Sequence, residues 1–190
     1  MFTIILDSND KPYRRTVVFD VETTGLYPEA DDRIIEIGAM ALVGDTILDE
    51  FHSLIDLDRP ISTEAQRIHG ITQEMLAGQP RAEEVLPQFR SFIEDSIMVA
   101  HSAEFDLSFV GSEFRRLKLD FSQPYYCTLA LGRKVFPGLE RHDLGSLYKH
   151  LYGELPLITH RALDDAWIAA MIWMKLNQLM SLLIYNYGPH

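Results

Sequence analysis

The chain has 190 residues, 47% of them hydrophobic and 24% charged, and a formal net charge of −11 at pH 7. This length and composition predict a single domain over residues 1–190, and the lone cysteine, Cys127, excludes an intrachain disulfide and suits a reducing compartment. The negative charge argues against tight, extended binding of a nucleic-acid backbone, although a protein that grips only a chain end needs few phosphate contacts.

The first half of the chain is predicted to be rich in strands. Residues 16–22 alternate in the way expected of a strand with one buried face. The run 33–56 is typical of two strands joined at the turn dipeptide Gly44-Asp45. Helices are predicted over residues 62–70 and 81–95. Apolar residues at helical spacing predict the second of these helices, and Pro87 within it makes its start or continuity doubtful.

The second half predicts helices that alternate with short strands. An apolar strand is expected over residues 96–101, and another short one after Pro124. Apolar residues at helical spacing predict four helices, over 102–118, a segment ending near Pro137, 142–153, and Ala162 to about Ile184. A β-meander followed by alternating helices and strands predicts an α/β fold with a mixed sheet covered by helices.

Two acidic residues, Asp20 and Glu22, lie at the end of the first predicted strand. Because successive side chains of a strand alternate between faces, both carboxylates point to one side, while Phe19 and Val21 point to the other. Adjacent carboxylates repel each other and are costly to desolvate, and a hard divalent cation relieves both costs. Two solvated acids are the simpler alternative, but Gly25, which lets backbone approach a ligand, favours half of a metal site.

Three further segments carry side chains able to do chemistry. HSAEFDLSFV contains His101 and Asp106, QRIHGIT contains His69 in a predicted loop, and HRALDDAWIAA contains His160, Asp164 and Asp165. With the acidic pair, these motifs resemble the DEDDh group of 3′–5′ exonucleases, which includes the proofreading epsilon subunit of bacterial DNA polymerase III, ribonuclease T and oligoribonuclease. The resemblance implies a ribonuclease H-like fold, a five-stranded mixed β-sheet flanked by α-helices, with a motif-bearing core of about residues 15–180.

The resemblance also implies a set of catalytic groups. Four carboxylates would hold two divalent cations, Mg²⁺ or Mn²⁺, and a histidine would act as general base: Asp20, Glu22, Asp106, Asp165 and His160. Two such ions about 3.5–4 Å apart can clamp the attacking and leaving oxygens of a phosphodiester. A histidine suits proton removal from the attacking water, because its ordinary pKa of about 6.5 lies close to working pH.

The last motif offers two aspartates for one metal position. His160 and Asp165 are five residues apart, about 140° around a helix, so they converge only if His160 precedes the helix. Asp165 falls on the apolar stripe that includes Ala169 and Ile172, whereas Asp164 falls on a stripe that becomes polar. We therefore expect Asp165 to face inward, and Asp164 to be a first-turn residue favoured by the helix dipole.

In the resembled family, the residues that follow the acidic pair hold the terminal nucleotide, and two positions further along the chain line the base pocket. The matching positions here are Thr23, Thr24, Gly25, Leu26, His69 and Phe105. For His69, a structural histidine bonded to backbone is an equal alternative. We interpret His101 and Glu36 as structural, and Cys127 as a core residue rather than a catalytic thiol. Ser102 and Cys127 depart from the residues often found at these positions in the family, Asn and Asp. The change at Ser102 removes no metal ligand, and no consequence is predicted for Cys127.

The predicted function is metal-dependent 3′–5′ hydrolysis of nucleic-acid 3′ ends to nucleoside 5′-monophosphates, with DNA as the expected substrate and a single-stranded or frayed end preferred. An exoribonuclease acting on short RNA, a silent binding module and an interaction subunit of a replication complex are the alternatives, and a DNA polymerase is a candidate partner. The longest apolar run, Ala166–Met174, is too short to span a membrane, and no basic segment marks a secretory signal, so a cytoplasmic location is expected.

Overall fold

The structure, a computed structural model, describes residues 15–156 and 160–187, with side chains through residue 181. Its five strands form one mixed sheet in the order β3-β2-β1-β4-β5. They are β1 (Thr16–Thr23), β2 (Ile34–Val43), β3 (Thr46–Leu54), β4 (Ile97–Ala100) and β5 (Tyr125–Cys127). The first three strands pair antiparallel, while β4 runs parallel to β1 and β5 parallel to β4. The predicted five-stranded mixed sheet is therefore confirmed.

The helices follow the predicted order with two additions. The helices are α1 (Thr63–His69), α2 (Gln73–Leu76), α3 (Ala82–Ile93), α4 (Ala103–Arg116), α5 (Thr128–Val135), α6 (Leu144–Tyr152) and α7 (Ala162–Tyr187). The sequence did not predict α2 or a 3₁₀ turn at Pro28–Ala30, because each is too short to show periodicity. The helix predicted over residues 81–95 is confirmed, and Pro87 lies inside it without interrupting it. Within the described residues, none of the helices is both long and apolar enough to cross a membrane.

The two faces of the sheet bury different sets of helices. Val17, Phe19 and Val21 of β1 pack into a core with α3 and α4, as the alternation predicted. Val18 points the other way and joins Trp173 of α7 in a second core. Asp20 and Glu22 share this second face, so the docking of α7 across β1 and β2 brings its first turn to the acidic pair.

Candidate active site

Four acidic side chains meet where β1, α4 and α7 approach one another. Asp20 and Glu22 come from the second half of β1, and Asp165 comes from the first turn of α7. One carboxylate oxygen from each of these three residues lies within 4.8 Å of the other two. Asp106, in the first turn of α4, is buried, and its carboxylate accepts a hydrogen bond from the backbone N–H of Val21. The structure thus brings together the four acids singled out in the sequence.

The pKa values of these carboxyl groups are all raised. Burial is the largest cause for Asp20, whose pKa lies well above its ordinary value, and repulsion from Asp106 and Glu22 follows. Burial and the charge of Asp165 raise the pKa of Glu22 to about 8. Burial raises the pKa of Asp106 to about 7 and that of Asp165 to about 6. Four acids that resist ionisation in one place form a site that a positive charge would stabilise.

The donor set fits a hard divalent cation. Oδ1 of Asp165 is buried and has no hydrogen-bond partner among the described residues, although a buried carboxylate oxygen normally has one. Carboxylate oxygens are the ligands that Mg²⁺ and Mn²⁺ prefer. Asp20, Glu22 and Asp165 could therefore hold one cation together, and Asp106 lies close enough to Asp20 to raise its pKa.

His160 precedes α7, as the spacing required. The helix begins at Ala162, and the backbone of His160 is left-handed, with φ of +49°. Nδ1 of His160 lies 4.0 Å from Oδ2 of Asp165, and 54% of its side chain is exposed. Asp165 is buried, whereas Asp164 is exposed. The inward orientation predicted for Asp165 is confirmed, and the exposed imidazole can be reached by a water molecule or a substrate.

The segment after β1 holds the first group of predicted substrate residues. Thr23 donates its hydroxyl proton to the carbonyl of Gly25 at 2.6 Å, and the Thr24 hydroxyl contacts Asp32. A Cβ at Gly25 would lie 2.3 Å from Asp32, so only glycine fits this close approach. Leu26 is 62% exposed. The threonines are therefore engaged in shaping the loop, and Leu26 is the apolar side chain it offers to a ligand.

His69 and Phe105 are placed differently from each other. His69 is the last residue of α1 rather than a loop residue, and it is buried. Its Nδ1 accepts the N–H of Ile71 at 3.0 Å, so its Nε2–H donates to the carbonyl of Thr23 at 3.3 Å. These bonds match the structural alternative for His69. Phe105 is partly buried in the α4 side of the core and packs against Phe109, one position before Asp106.

His101 and Cys127, both interpreted as structural from the sequence, form hydrogen bonds within the protein. His101 contacts the hydroxyl of Thr128 and the carbonyl of His142, and burial lowers its pKa to about 4. Cys127 ends β5, is only half-buried, and its Sγ lies 3.2 Å from the carbonyl of His101. Ser102 precedes α4 without a side-chain capping bond.

Glu36 and Arg161 form an ion pair that the sequence did not reveal. Glu36 is buried inside β2, and Arg161 lies between His160 and α7. The sequence contained one indication of this pair, because a charged residue within an apolar strand implies a buried partner. The identity of that partner could not be read, because the two residues are 125 positions apart.

Comparisons with known proteins agree with this geometry. The sequence model of the exonuclease family matches residues 17–173. DNA polymerase III PolC-type from Thermotoga maritima is 46% identical over 165 residues, which cover 86% of this chain and 12% of that protein. DNA polymerase III subunit epsilon from Aquifex aeolicus is 36% identical over 173 residues, which cover 90% of this chain and 83% of that protein.

Solved structures point to the same class. Exonuclease X in complex with 5′ overhanging duplex DNA has a TM-score of 0.67 and 28% identity, with 93% of each chain covered. A DEDDh-family nuclease domain bound to rAMP has a TM-score of 0.75 at 18% identity, covering 90% of this chain and 94% of that chain, and supports the fold alone. The fold is thus the ribonuclease H-like fold of the DEDDh 3′-exonucleases. The chain belongs to the exonuclease family, as predicted, and spans about an eighth of the PolC-type relatives.

Proposed function

We propose that this chain is a metal-dependent 3′–5′ exonuclease of the proofreading type, which removes nucleoside 5′-monophosphates from DNA 3′ ends. The observation that carries the proposal is the cluster of the half-buried Asp20 and Glu22 with the buried Asp165, which has an orphaned oxygen. The relatives named DNA polymerase III favour DNA, while the nuclease domain bound to rAMP is similar only in fold. An exoribonuclease is therefore the second candidate. A single domain over residues 1–190 and a cytoplasmic location remain predictions.

In this proposal the four carboxylates, Asp20, Glu22, Asp106 and Asp165, hold two divalent cations, Mg²⁺ or Mn²⁺. Such cations supply positive charge for the attacking and leaving oxygens of a phosphodiester. His160 lies on the exposed side of Asp165 and takes the proton of the attacking water. Leu26 and Phe105 contact the terminal base, Thr23, Thr24 and Gly25 shape the loop beside it, and His69 supports that loop through Thr23.

We also propose that the chain works with a DNA polymerase. The matching segment of the Thermotoga maritima relative covers only 12% of a protein named DNA polymerase III PolC-type. A nuclease site beside a polymerase would receive a mispaired 3′ end directly. Size-exclusion chromatography of this chain with the polymerase of the same organism tests the association, and separate elution at micromolar concentrations would contradict it.

The activity is tested with a 5′-labelled single strand of DNA, the same strand as RNA, and a circular DNA. We expect a ladder that shortens from the 3′ end of the linear DNA, with slower loss of the RNA. Excess EDTA should stop the reaction, and the circle should remain intact. The variant Asp20→Asn serves as the inactive control for contaminating nucleases. Cutting of the circle, or faster loss of the RNA, would contradict the proposal.

A further inference from the structure

The residue that follows the proposed base is fixed to the sheet by an ion pair. Nη2 of Arg161 lies 2.6 Å from Oε1 of Glu36, and Nε lies 3.0 Å from Oε2. The Glu36 side chain is fully buried, and the Arg161 side chain is 31% exposed. Two donors of one guanidinium engaging one carboxylate fix direction as well as distance, because the guanidinium is planar.

The same carboxylate also holds the start of α7. The backbone N–H of Ala162 donates to Oε2 of Glu36 at 3.1 Å, and His52 of β3 contacts Oε1 at 2.7 Å. Two residues along β2, a Cβ at Gly38 would lie 2.2 Å from the backbone of Ala162 and Leu163. The backbone of β2 at Gly38 therefore lies directly against the backbone of the first turn of α7. Strand β2 thus determines where α7 begins.

His160 itself is weakly restrained by comparison. Its imidazole is more than half exposed, and its contact with Asp165 is 4.0 Å long. Its left-handed φ of +49° is uncommon for a residue other than glycine, and such a conformation persists when the surrounding structure imposes it. The adjoining residue, Arg161, is the one that the sheet grips.

We propose that Arg161 and Glu36 are positioning residues for His160, holding the backbone beside it so that the imidazole faces the carboxylate cluster. This inference rests on the proposed role of His160 as general base. A shift of about 1 Å in a reacting group can lower a rate by about 10²-fold, so loss of the ion pair should reduce turnover without removing any metal ligand or substrate contact. A merely structural pair would instead lower stability and leave the action of His160 unchanged.

The test is a double-mutant cycle on kcat with Arg161→Met, His160→Ala and the combined variant, measured at steady state and checked in single turnover with excess enzyme. We expect Arg161→Met to lower kcat by about 10²-fold with KM within about twofold. In the His160→Ala background the same change should have little further effect, because the positioned group is absent. Arg161→Lys, which keeps the charge but not the planar fork, should recover part of the loss.

Two measurements that do not depend on catalysis complete the test. Calorimetric titration should give the same Mn²⁺ affinity for Arg161→Lys as for the wild type, because this variant keeps the positive charge that acts on Glu22. The imidazole NMR signals of His160, assigned by their loss in His160→Ala, should shift in metal-free Arg161→Met. If the unpaired charge of Glu36 unfolds Arg161→Met, the double variant Glu36→Gln/Arg161→Met removes that buried charge. The kcat of the double variant should still be low.

Arg33→Met is the matched control, because Arg33 forms a similar ion pair with Glu113, which is also buried. It should lower the melting temperature, and its effect on kcat should be the same with and without His160. If His160→Ala is impaired but Arg161→Met costs the same factor in both backgrounds, the positioning proposal is overturned while the proposed function stands. If His160→Ala retains the wild-type kcat, the general-base assignment is wrong and the positioning role falls with it.

Discussion

Glu22 and Glu36 lie opposite each other on neighbouring antiparallel strands, yet their pKa values move in opposite directions. Burial and the charge of Asp165 raise the pKa of Glu22 to about 8. Burial also acts to raise the pKa of Glu36, but hydrogen bonds from Arg161, His52 and the N–H of Ala162 bring it below its ordinary value. One acid is already neutralised by the protein, and the other is left to bind a cation.

The first prediction concerns pH and metal removal. Between pH 4 and 8 the folded protein without cations holds more protons on its acidic cluster than the unfolded chain, because the folded pKa values are raised, to about 6 for Asp165 and about 8 for Glu22. Stability from these groups is complete below their unfolded pKa values and is lost as pH rises through the folded ones. In EDTA, the melting temperature should therefore fall between pH 5 and pH 8.

Mn²⁺ should reverse this loss at pH 8, since it binds only the folded site. A recovery of about 2 kcal/mol corresponds to roughly 4–8 °C for a domain of this size. Melting curves at pH 5 and pH 8, each with EDTA or Mn²⁺, measure the effect, and Asp20→Asn is the control that should respond less to both. A melting temperature that rises towards pH 8 in EDTA would contradict the raised pKa values.

The second prediction separates the two adjacent aspartates of α7. Asp165→Asn removes a charge from the buried cluster and should lower activity about 10²-fold or more, as loss of a catalytic metal contact does. Asp164→Asn should keep activity near the wild-type level, because Asp164 is exposed. Both variants are assayed at saturating Mn²⁺ and checked by melting curves. An inactive Asp164→Asn beside an active Asp165→Asn would show that the helix register is wrong.

The third prediction uses the close contact at Gly38. Gly38→Ala would place a methyl group 2.2 Å from the backbone of Ala162 and Leu163, and neither backbone can move without shifting α7. We expect a loss of about 3 kcal/mol in the free energy of unfolding, the upper range for overpacked positions, together with reduced activity. Chemical denaturation measures the change.

Gly111→Ala is the matched control for that variant. Gly111 lies inside α4, and a Cβ there would meet nothing within 4 Å. The substitution should be neutral or stabilise the protein by about 0.5–1 kcal/mol, because alanine favours a helix. Equal stability losses from Gly38→Ala and Gly111→Ala would argue against a specific contact between β2 and α7.

The fourth prediction concerns the 3′ end that is preferred. A chain of net charge −11 has little electrostatic attraction for a long duplex, and we expect a terminal base to reach the exposed Leu26 only after it leaves its pair. A mismatched 3′ terminus saves about 1.4 kcal/mol of stacking, so it should be removed about tenfold faster than a paired one. Leu26→Ala should raise KM for single-stranded DNA, and Leu48→Ala, on the exposed strand β3, should leave it unchanged. Rates are compared on two duplexes that differ only in the last base.

The sequence predicted the features that depend on local pattern. Period-two alternation separated Phe19 from Asp20, and helical periodicity oriented Asp165 inward and Asp164 outward, as the structure confirms. The turn at Gly44 also followed from residue type. These are signals of neighbours along one strand or one helix, which tertiary packing did not override.

Features that depend on distant partners could not be predicted. His69 has the appearance of a loop residue in QRIHGIT, and its burial depends on a bond to Thr23, 46 residues earlier. Pro87 is tolerated because α3 is secured by its buried face, which outweighs the one hydrogen bond that a proline removes. The partner of Glu36 was hidden for the same reason, since sequence pattern carries no record of contacts across the fold.

The placement of Asp165 on α7 determines when, during synthesis of the chain, the acidic cluster is completed. During synthesis Asp20 and Glu22 emerge early, and Asp165, the third member of their cluster, emerges more than 140 residues later with α7. Because contacts between such distant segments form after local structure, we expect the chain to acquire nuclease activity only when α7 docks. A nascent chain stalled before residue 160 contains all five strands but lacks Asp165, and we expect it to be unable to cleave nucleic acid.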